Sequence, residues 1–543
     1  MRTATLVSLG LFLLLPLAAL LGEHLARASL LTAWNDLPAT GGSWLNTLLL
    51  MGLAVLIAVP PGAAFAYQLC RRRIRGQRVL RTGVLAGLFI PLPVWAVSWQ
   101  IILGEWLPPM SLEPGGVAWR PWKLGLLPAA WIHGVAAMPW VVVIVSLVLR
   151  TADPALEEEA RQTGGVRGVW RWVILPRLAW AVFFASLVVA LQAGTEIAVT
   201  DPMMVRTSAE EVYTQMVVRS TGLGAAIAAT IPLWFGGAAL LGLISRYGLR
   251  RFRASEQFRG VDPVARATHC ASVLAWLPVT LYFGLPFGAL VWKAAGGGVL
   301  AVPSAGAFAQ TIEKAARTEW LTLVDSLAAA AAAGVFTAGS AWMACSLAFG
   351  SSQYRAALFG LCAILIAVPG PLAGFAIKEA IVKLVSAERS VLQSLDLHPD
   401  FPPLRSLLYD QPSPLPGIWV GALRFFPLAC GIVAVAMHRI PKSLLETADA
   451  ERRNFTSVSR WVIAPLTIRA FLLASVAVAA LAFGEVSAGK LAQPPARGVF
   501  VLRLFDQMHY GAESSVAALC LLQSAATWGI LWLLVGLRPE RTP

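Results

Sequence analysis

Long apolar runs dominate this chain. Segments able to cross a hydrocarbon core about 30 Å thick, at about 20 apolar residues each, occur near 4–22, 44–69, 79–104, 127–149, 178–198 and 223–245. A second set follows near 269–293, 321–349, 356–382, 416–438, 468–488 and 514–537. Backbone amides in lipid must be paired inside their own segment, and these runs are far too long for barrel strands, so helices are the only workable assignment. The expectation is an all-α, polytopic membrane protein of about twelve transmembrane helices. Composition agrees, with 57% hydrophobic and 13% charged residues, against roughly 45–50% and about 25% in soluble domains.

The formal net charge of +14 is spread through the connections rather than gathered on one face, so it points to membrane orientation and no nucleic-acid partner is expected. Arg71, Arg72, Arg73, Arg75, Arg78 and Arg81 fill one connection, and Arg246, Arg250, Arg251, Arg253, Arg259 and Arg266 another. Alternate sides sum to about 27 and about 15 basic residues, and the richer side is read as cytoplasmic. Both termini are then inside. The run after Arg2 ends near Ala26-Arg27-Ala28, which resembles a signal-peptide cleavage site; its length of about 18 residues suits an uncleaved anchor better. The cysteines Cys70, Cys270, Cys345, Cys362, Cys430 and Cys520 form no CxxC pair, and the six histidines do not cluster. Neither a metal site nor a disulfide framework is expected.

The chain repeats itself. Arg171-Trp172-Val173-Ile174-x-Pro176 recurs as Arg460-Trp461-Val462-Ile463-x-Pro465, Ala185-Ser186 as Ala474-Ser475, and Glu196 as Glu485, all at one offset. Trp131 and Pro139 recur as Trp419 and Pro427, Pro91-x-Pro93 as Pro369-x-Pro371, and Gln215-Met216 as Gln507-Met508. The expected organisation is a first half over 1–250, a cytoplasmic linker over 251–268 and a second half over 269–543. An even number of spans per half makes the two six-helix repeats parallel, with a pathway on the pseudo-twofold axis between them.

Between the fourth and fifth span of each half lies a charged segment, 151–177 and 439–467, long enough for a short helix, a turn and another short helix. The first reads Asp153-Pro154-Ala155-Leu156-Glu157-Glu158-Glu159-Ala160-Arg161-Gln162-Thr163-Gly164-Gly165 and runs on to Pro176. The second carries Pro441, Glu446, Thr447, Ala448 and Arg452 and runs on to Pro465. Each opens with Pro at a helix start and acidic residues after it, which suits the helix dipole.

These segments resemble the EAA loop of binding-protein-dependent ABC importer permeases, in which Glu-Ala-Ala, three residues, Gly and a later Leu-Pro form a helix seated in a cleft of the ATPase. The resemblance covers nearly the whole chain, and two fused halves look like the ferric-iron type, with thiamine and aminoethylphosphonate relatives close by. Gly484-Glu485-Val486-Ser487-Ala488 and Met508-His509-Tyr510-Gly511 also look like that group. The first loop offers Glu157, Glu158 and Glu159 for the family glutamate and Gly164 or Gly165 for the turn; the second has Arg452 where the family has Gly. The resemblance implies a type I importer permease fold in a cell inner (plasma) membrane. It implies a cytoplasmic ABC ATPase as partner, as a homodimer, and a periplasmic solute-binding protein. No GxxxxGK[ST] phosphate loop occurs in the sequence, so ATP is expected to be used by the partner subunit; this chain is expected to bind no cofactor and to be no enzyme. Ferric iron is the solute the resemblance favours, ahead of thiamine or phosphonate.

Ionisable side chains within spans cost about 2.5–3.5 kcal/mol each on insertion scales and so draw attention to Glu196, Glu485, Arg424 and Asp325. Glu196 and Glu485 either line the translocation path, favouring a cationic or hydrated polar cargo, or fix helix ends at the outer interface. Arg424 is read as a packing partner for Asp325 or Glu485, and the paired prolines Pro139 and Pro427 as breaks or kinks in their spans. An ion-gradient-driven twelve-helix transporter, with Glu196 and Glu485 as a proton relay, is the alternative reading of the same features.

Overall fold

The computed structural model describes residues 9–10, 12–20, 22, 37–107, 111–112, 118–150, 152–218, 227–228, 230–231, 235–239, 242, 265–266, 269–298, 301–349, 351–397, 402–441, 443–444, 446–447, 451, 455–494, 497–511 and 513–536. It is all-α apart from two short bridges, Arg72–Arg73 with Ala265–Arg266 and Ser111–Leu112 with Ala118–Trp119. In chain order the main helices are α1 (Leu37–Arg71), α2 (Gln77–Gly87), α3 (Leu92–Ile101), α4 (Leu126–Leu149), α5 (Pro154–Gly168), α6 (Leu175–Thr195) and α7 (Ser208–Val218). They continue with α8 (His269–Val279), α9 (Leu285–Ala294), α10 (Ala305–Ala348), α11 (Ser352–Ala367), α12 (Gly370–Ser394), α13 (Leu415–Met437), α14 (Ala464–Ala482), α15 (Phe500–Met508) and α16 (Ser514–Gly536).

Among the described residues, eight helices are long and apolar enough to cross a membrane, or up to 10 if each of two bent pairs is one span. This is the architecture of a membrane-spanning protein. The expected spans near 4–22 and 223–245 lie partly outside the described residues. The bent pairs are α2 with α3 and its continuation to Trp106, at 101°, and α11 with α12, at 108°. Each bend falls at the repeated Pro-x-Pro, because Pro91 and Pro369 precede the first residue of α3 and α12 with extended backbone, ψ 143° in both. Pro139 and Pro427 do otherwise. They sit inside α4 and α13, which run through them without a break, so these prolines do not divide their spans.

Proline shapes the helix starts as well. Pro176, Pro286 and Pro465 are each preceded by a one-turn π-helix, Val169–Ile174, Thr280–Gly284 and Ser459–Ile463. The pyrrolidine ring clashes with the carbonyl four residues earlier, and widening that turn relieves the clash without ending the helix.

Two three-helix bundles form the centre. α1, α4 and α6 pack on one another, and so do α10, α13 and α14. Small residues permit the close approach: a Cβ added to Gly334 in α10 would lie 2.2 Å from the Ser475 carbonyl oxygen in α14. Two contacts join segments that are far apart in the chain. Leu13, Leu17 and Leu20 join a core with Trp419, Phe426 and Val433, and Trp419 Nε1 donates to the Phe12 carbonyl at 3.0 Å. Likewise, Tyr282, between α8 and α9, packs on Trp95 in α3 with ring centroids 4.6 Å apart.

Candidate functional site

Two polar assemblies stand out, one in the charged loop and one where α6, α11 and α13 meet.

In the loop, Asp153 caps α5 by accepting from the Ala155 amide at 3.0 Å, with Pro154 at the first helical position, where a missing N–H costs nothing. Glu157 does not face solvent. It is 6% exposed and takes a bidentate pair from Arg71, the last residue of α1, at 2.7 and 2.6 Å. Arg71 is equally buried at 7%, so removing either partner strands a charge in low dielectric. Ala160 is buried beside Glu157, whereas Glu158, Glu159, Arg161 and Gln162 are exposed. Gly165 has φ 59° and ψ −155°, a conformation essentially confined to glycine, and it makes the turn. Gly164 has a different duty: a Cβ there would lie 2.9 Å from the Trp172 ring. Leu156, Val166 and Trp172 leave the loop with exposed apolar surface at 46%, 71% and 56%.

Glu157 stands 19 residues before Pro176, the interval that separates Glu446 from Pro465. The offset of 289 that relates Glu157 to Glu446 pairs Gly165 with Asn454 in the sequence. Glu446 and Thr447 are helical and exposed, and Pro465 is the second residue of α14. Ala448 and Arg452 lie outside the described residues.

Between α6, α13 and the segment after α14, Glu196, Arg424 and Glu485 come together. Glu196 ends α6, where a carboxylate meets the negative end of the helix dipole and needs a cation. Arg424 of α13 supplies it through Nη2. The same guanidinium donates through Nη1 to the Val368 carbonyl at 3.1 Å and places Nε 3.7 Å from Glu485 Oε2. Val368 terminates α11 at the Pro369 break, so its carbonyl is an acceptor that the bend releases. Ser487 Oγ donates to Glu196 Oε2 and accepts from the Ile197 amide at 3.1 Å. Glu485 Oε1 accepts from the Ala488 amide at 2.8 Å. Side chains of all three ions are about one-tenth exposed, at 11%, 11% and 8%.

Glycines let this loop approach. A Cβ on Gly374 would lie 2.3 Å from the Ala488 carbonyl oxygen, and one on Gly370 2.4 Å from Ser487 Cβ. Glu196 and Glu485 occupy matching places in the repeat, yet both reach one guanidinium; Arg424 has no such match, since Ala136 stands at its position relative to Pro139.

Asp325 lies apart from this group. It accepts from Arg497 at 2.8 Å, so the pairing of Arg424 with Asp325 is replaced by one with Glu196 and Glu485. Arg497 reads in sequence as a loop residue, yet its side chain is 5% exposed while Asp325 is 57% exposed. Glu485, Arg497, Ser326, Ser413 and Gln493 line a cavity of about 60 Å³ between α10, α13 and the 482–502 segment. Among the described residues no group of His, Cys, Asp or Glu is placed to hold a metal ion, and Cys70, Cys345, Cys362, Cys430 and Cys520 are free thiols. Sequence reasoning flagged the three ions by their burial in apolar runs but missed Arg71, Ser487 and Val368. Ser487 lies within the quoted Gly484 to Ala488 motif, while a backbone carbonyl such as Val368 leaves no trace in side-chain identity.

No family model matches the chain, and no curated protein matches it.

Proposed function

We propose that this chain is the membrane-spanning permease subunit of an ATP-driven ABC importer, moving a solute inward by alternating access between two parallel six-helix halves, about twelve helices in all. The observation that carries this reading is the α5 loop. A short capped helix and a glycine turn stand between two long apolar helices, fixed to the end of α1 by the Arg71–Glu157 pair and exposing Leu156, Glu158, Glu159 and Val166. A helix held in this way passes a push from a docked partner into the spans on either side. The segment from Pro441 to Pro465 offers a second docking point.

The repeat is supported by a matched pair of hydrogen bonds. Thr47 Oγ1 accepts from the Ser208 amide at 2.8 Å, and Ser326 Oγ accepts from the Phe500 amide at 3.0 Å. Thr47 follows Asn46 as Ser326 follows Asp325, and Ser208 to Phe500 is the interval of Gln215 to Gln507. The Glu196–Arg424–Glu485 cluster joins two matching positions of the repeat through one guanidinium, which suits a gate on the translocation path for a cationic or hydrated polar solute. Ferric iron is the solute we propose, delivered by a periplasmic binding protein, with ATP hydrolysed by a separate cytoplasmic ATPase dimer and both termini of this chain inside.

The test is reconstitution. Purified chain alone in liposomes is expected to move no radiolabelled ferric iron under an imposed proton or sodium gradient, and ATP-dependent uptake is expected only when an ATPase subunit co-assembles. Gradient-driven uptake by the chain alone would replace this reading with a secondary transporter using Glu196 and Glu485 as its relay. Glu196→Gln with Glu485→Gln is expected to impair uptake; undiminished transport would remove both from the path.

A further inference from the structure

Five residues beyond Glu196, Asp201 makes a second link, to His509, which lies 24 residues beyond Glu485. His509 follows the last residue of α15, within the Met508-His509-Tyr510-Gly511 motif. Its Nδ1 lies 2.9 Å from the Phe505 carbonyl, and its Nε2 lies 3.3 Å from Asp201 Oδ2. Both partners are acceptors. A neutral imidazole has a single N–H and satisfies only one of them, leaving a lone pair facing either a carbonyl or a carboxylate; the imidazolium satisfies both. The end of a helix favours the same charge. Asp201 is fixed in turn, because its amide donates to the Ile197 carbonyl at 3.1 Å and its carbonyl accepts from the Met204 amide at 3.0 Å.

We propose that His509 and Asp201 form a proton-operated clasp, which binds one proton on the imidazole to hold the two halves together at this end of the molecule. Release of that proton takes away the ion pair and leaves a lone pair facing either the Phe505 carbonyl or the Asp201 carboxylate. The proposal does not depend on what is transported or on an ATPase; it requires only that the halves separate at this end.

The other charged groups around the ring are few. Lys490 holds its ammonium 4.5 Å from the Phe505 ring and 5.2 Å from the Tyr213 ring, and 3.4 Å from Asp506. It stands where the repeat puts the counterpart of Asp201. Glu210 is 9% exposed, with Oε1 accepting from Thr214 at 3.4 Å and Oε2 unpartnered. The hydrogen bond to Asp201 raises the His509 pKa above the ordinary histidine value, against burial and Lys490, which lower it. The clasp is therefore complete at low pH and lost as pH rises through that raised value. Burial, with Asp201 next, pushes Glu210 up to about 8, so it titrates nearby and must be separated from His509 in any test.

The experiment places spin labels at Met204→Cys and Tyr510→Cys, which are 79% and 85% exposed on opposite sides of the link, in the full chain in lipid nanodiscs. A single short, narrow distance is expected at about pH 6, and a longer, broader one at about pH 9, with the midpoint above the free-histidine value. His509→Gln is expected to abolish the pH response, Asp201→Asn to leave the distance broad at every pH, and Glu210→Gln to keep the response. A parent distance that does not change across this range would overturn the clasp. A response surviving His509→Gln but lost in Glu210→Gln would assign the proton to Glu210 and overturn it equally.

Discussion

The two charged loops start from the same sequence interval and end with opposite surfaces. Glu157 is buried against Arg71, whereas Glu446, at the same distance from its proline, is exposed. The difference originates outside the loops. α1 ends on Arg71, which reaches across to α5, but after α10 ends the chain offers no basic residue until Arg355, already inside α11. One glutamate is buried in holding its loop; the other keeps an exposed side chain. Identity of residue type at matched positions is thus no guide to role until the neighbour that claims it is known.

The contrast breaks most readily at Arg71. Arg71→Ala is expected to destabilise the first loop by about 3–5 kcal/mol, since Glu157 keeps its charge in a buried place, and hydrogen exchange across α5 should rise to the level of an open loop. Unchanged protection there would mean that the pair fixes nothing. A smaller effect is expected from Gly165→Val, about 1–3 kcal/mol for a β-branched residue forced into a glycine conformation, read as a lowered denaturation midpoint. Glu446→Ala should change stability by less than about 0.5 kcal/mol, as an exposed site does, while weakening capture of a co-expressed ATPase; a large stability loss would show a hidden partner for Glu446.

Much of the architecture was legible because length and apolarity settle what crosses lipid. Ten of the expected spans correspond to the described apolar helices and bent pairs, as the demand for internally paired backbone requires. The bends were not legible: Pro91-x-Pro93 and Pro369-x-Pro371 announced a repeat, but nothing in two prolines states an angle, and Pro139 and Pro427 looked equally disruptive. The ions Glu196, Arg424 and Glu485 stood out since charges in apolar runs are costly. Their wiring did not, because Arg424 had several carboxylates to choose from and Asp325 was claimed by Arg497, a residue outside every apolar run. Which of Glu157, Glu158 and Glu159 is buried was not legible either, because the burial rests on Arg71, which the sequence presents only as one of a run of basic residues.

The packing of early segments on late ones sets a timetable for biosynthesis. Phe12 and Trp419, whose contact secures the first helix, are 407 positions apart. At about 5–20 residues per second of synthesis, the ribosome needs roughly 20–80 s to supply the seat after it has supplied the occupant. During that interval the early helix must wait in lipid or with an insertion factor, without its permanent neighbours. Tyr282, arriving later, finds Trp95 already in place, so the two exchanges are not simultaneous, and the nascent chain passes through a stage in which one graft is seated and the other still vacant.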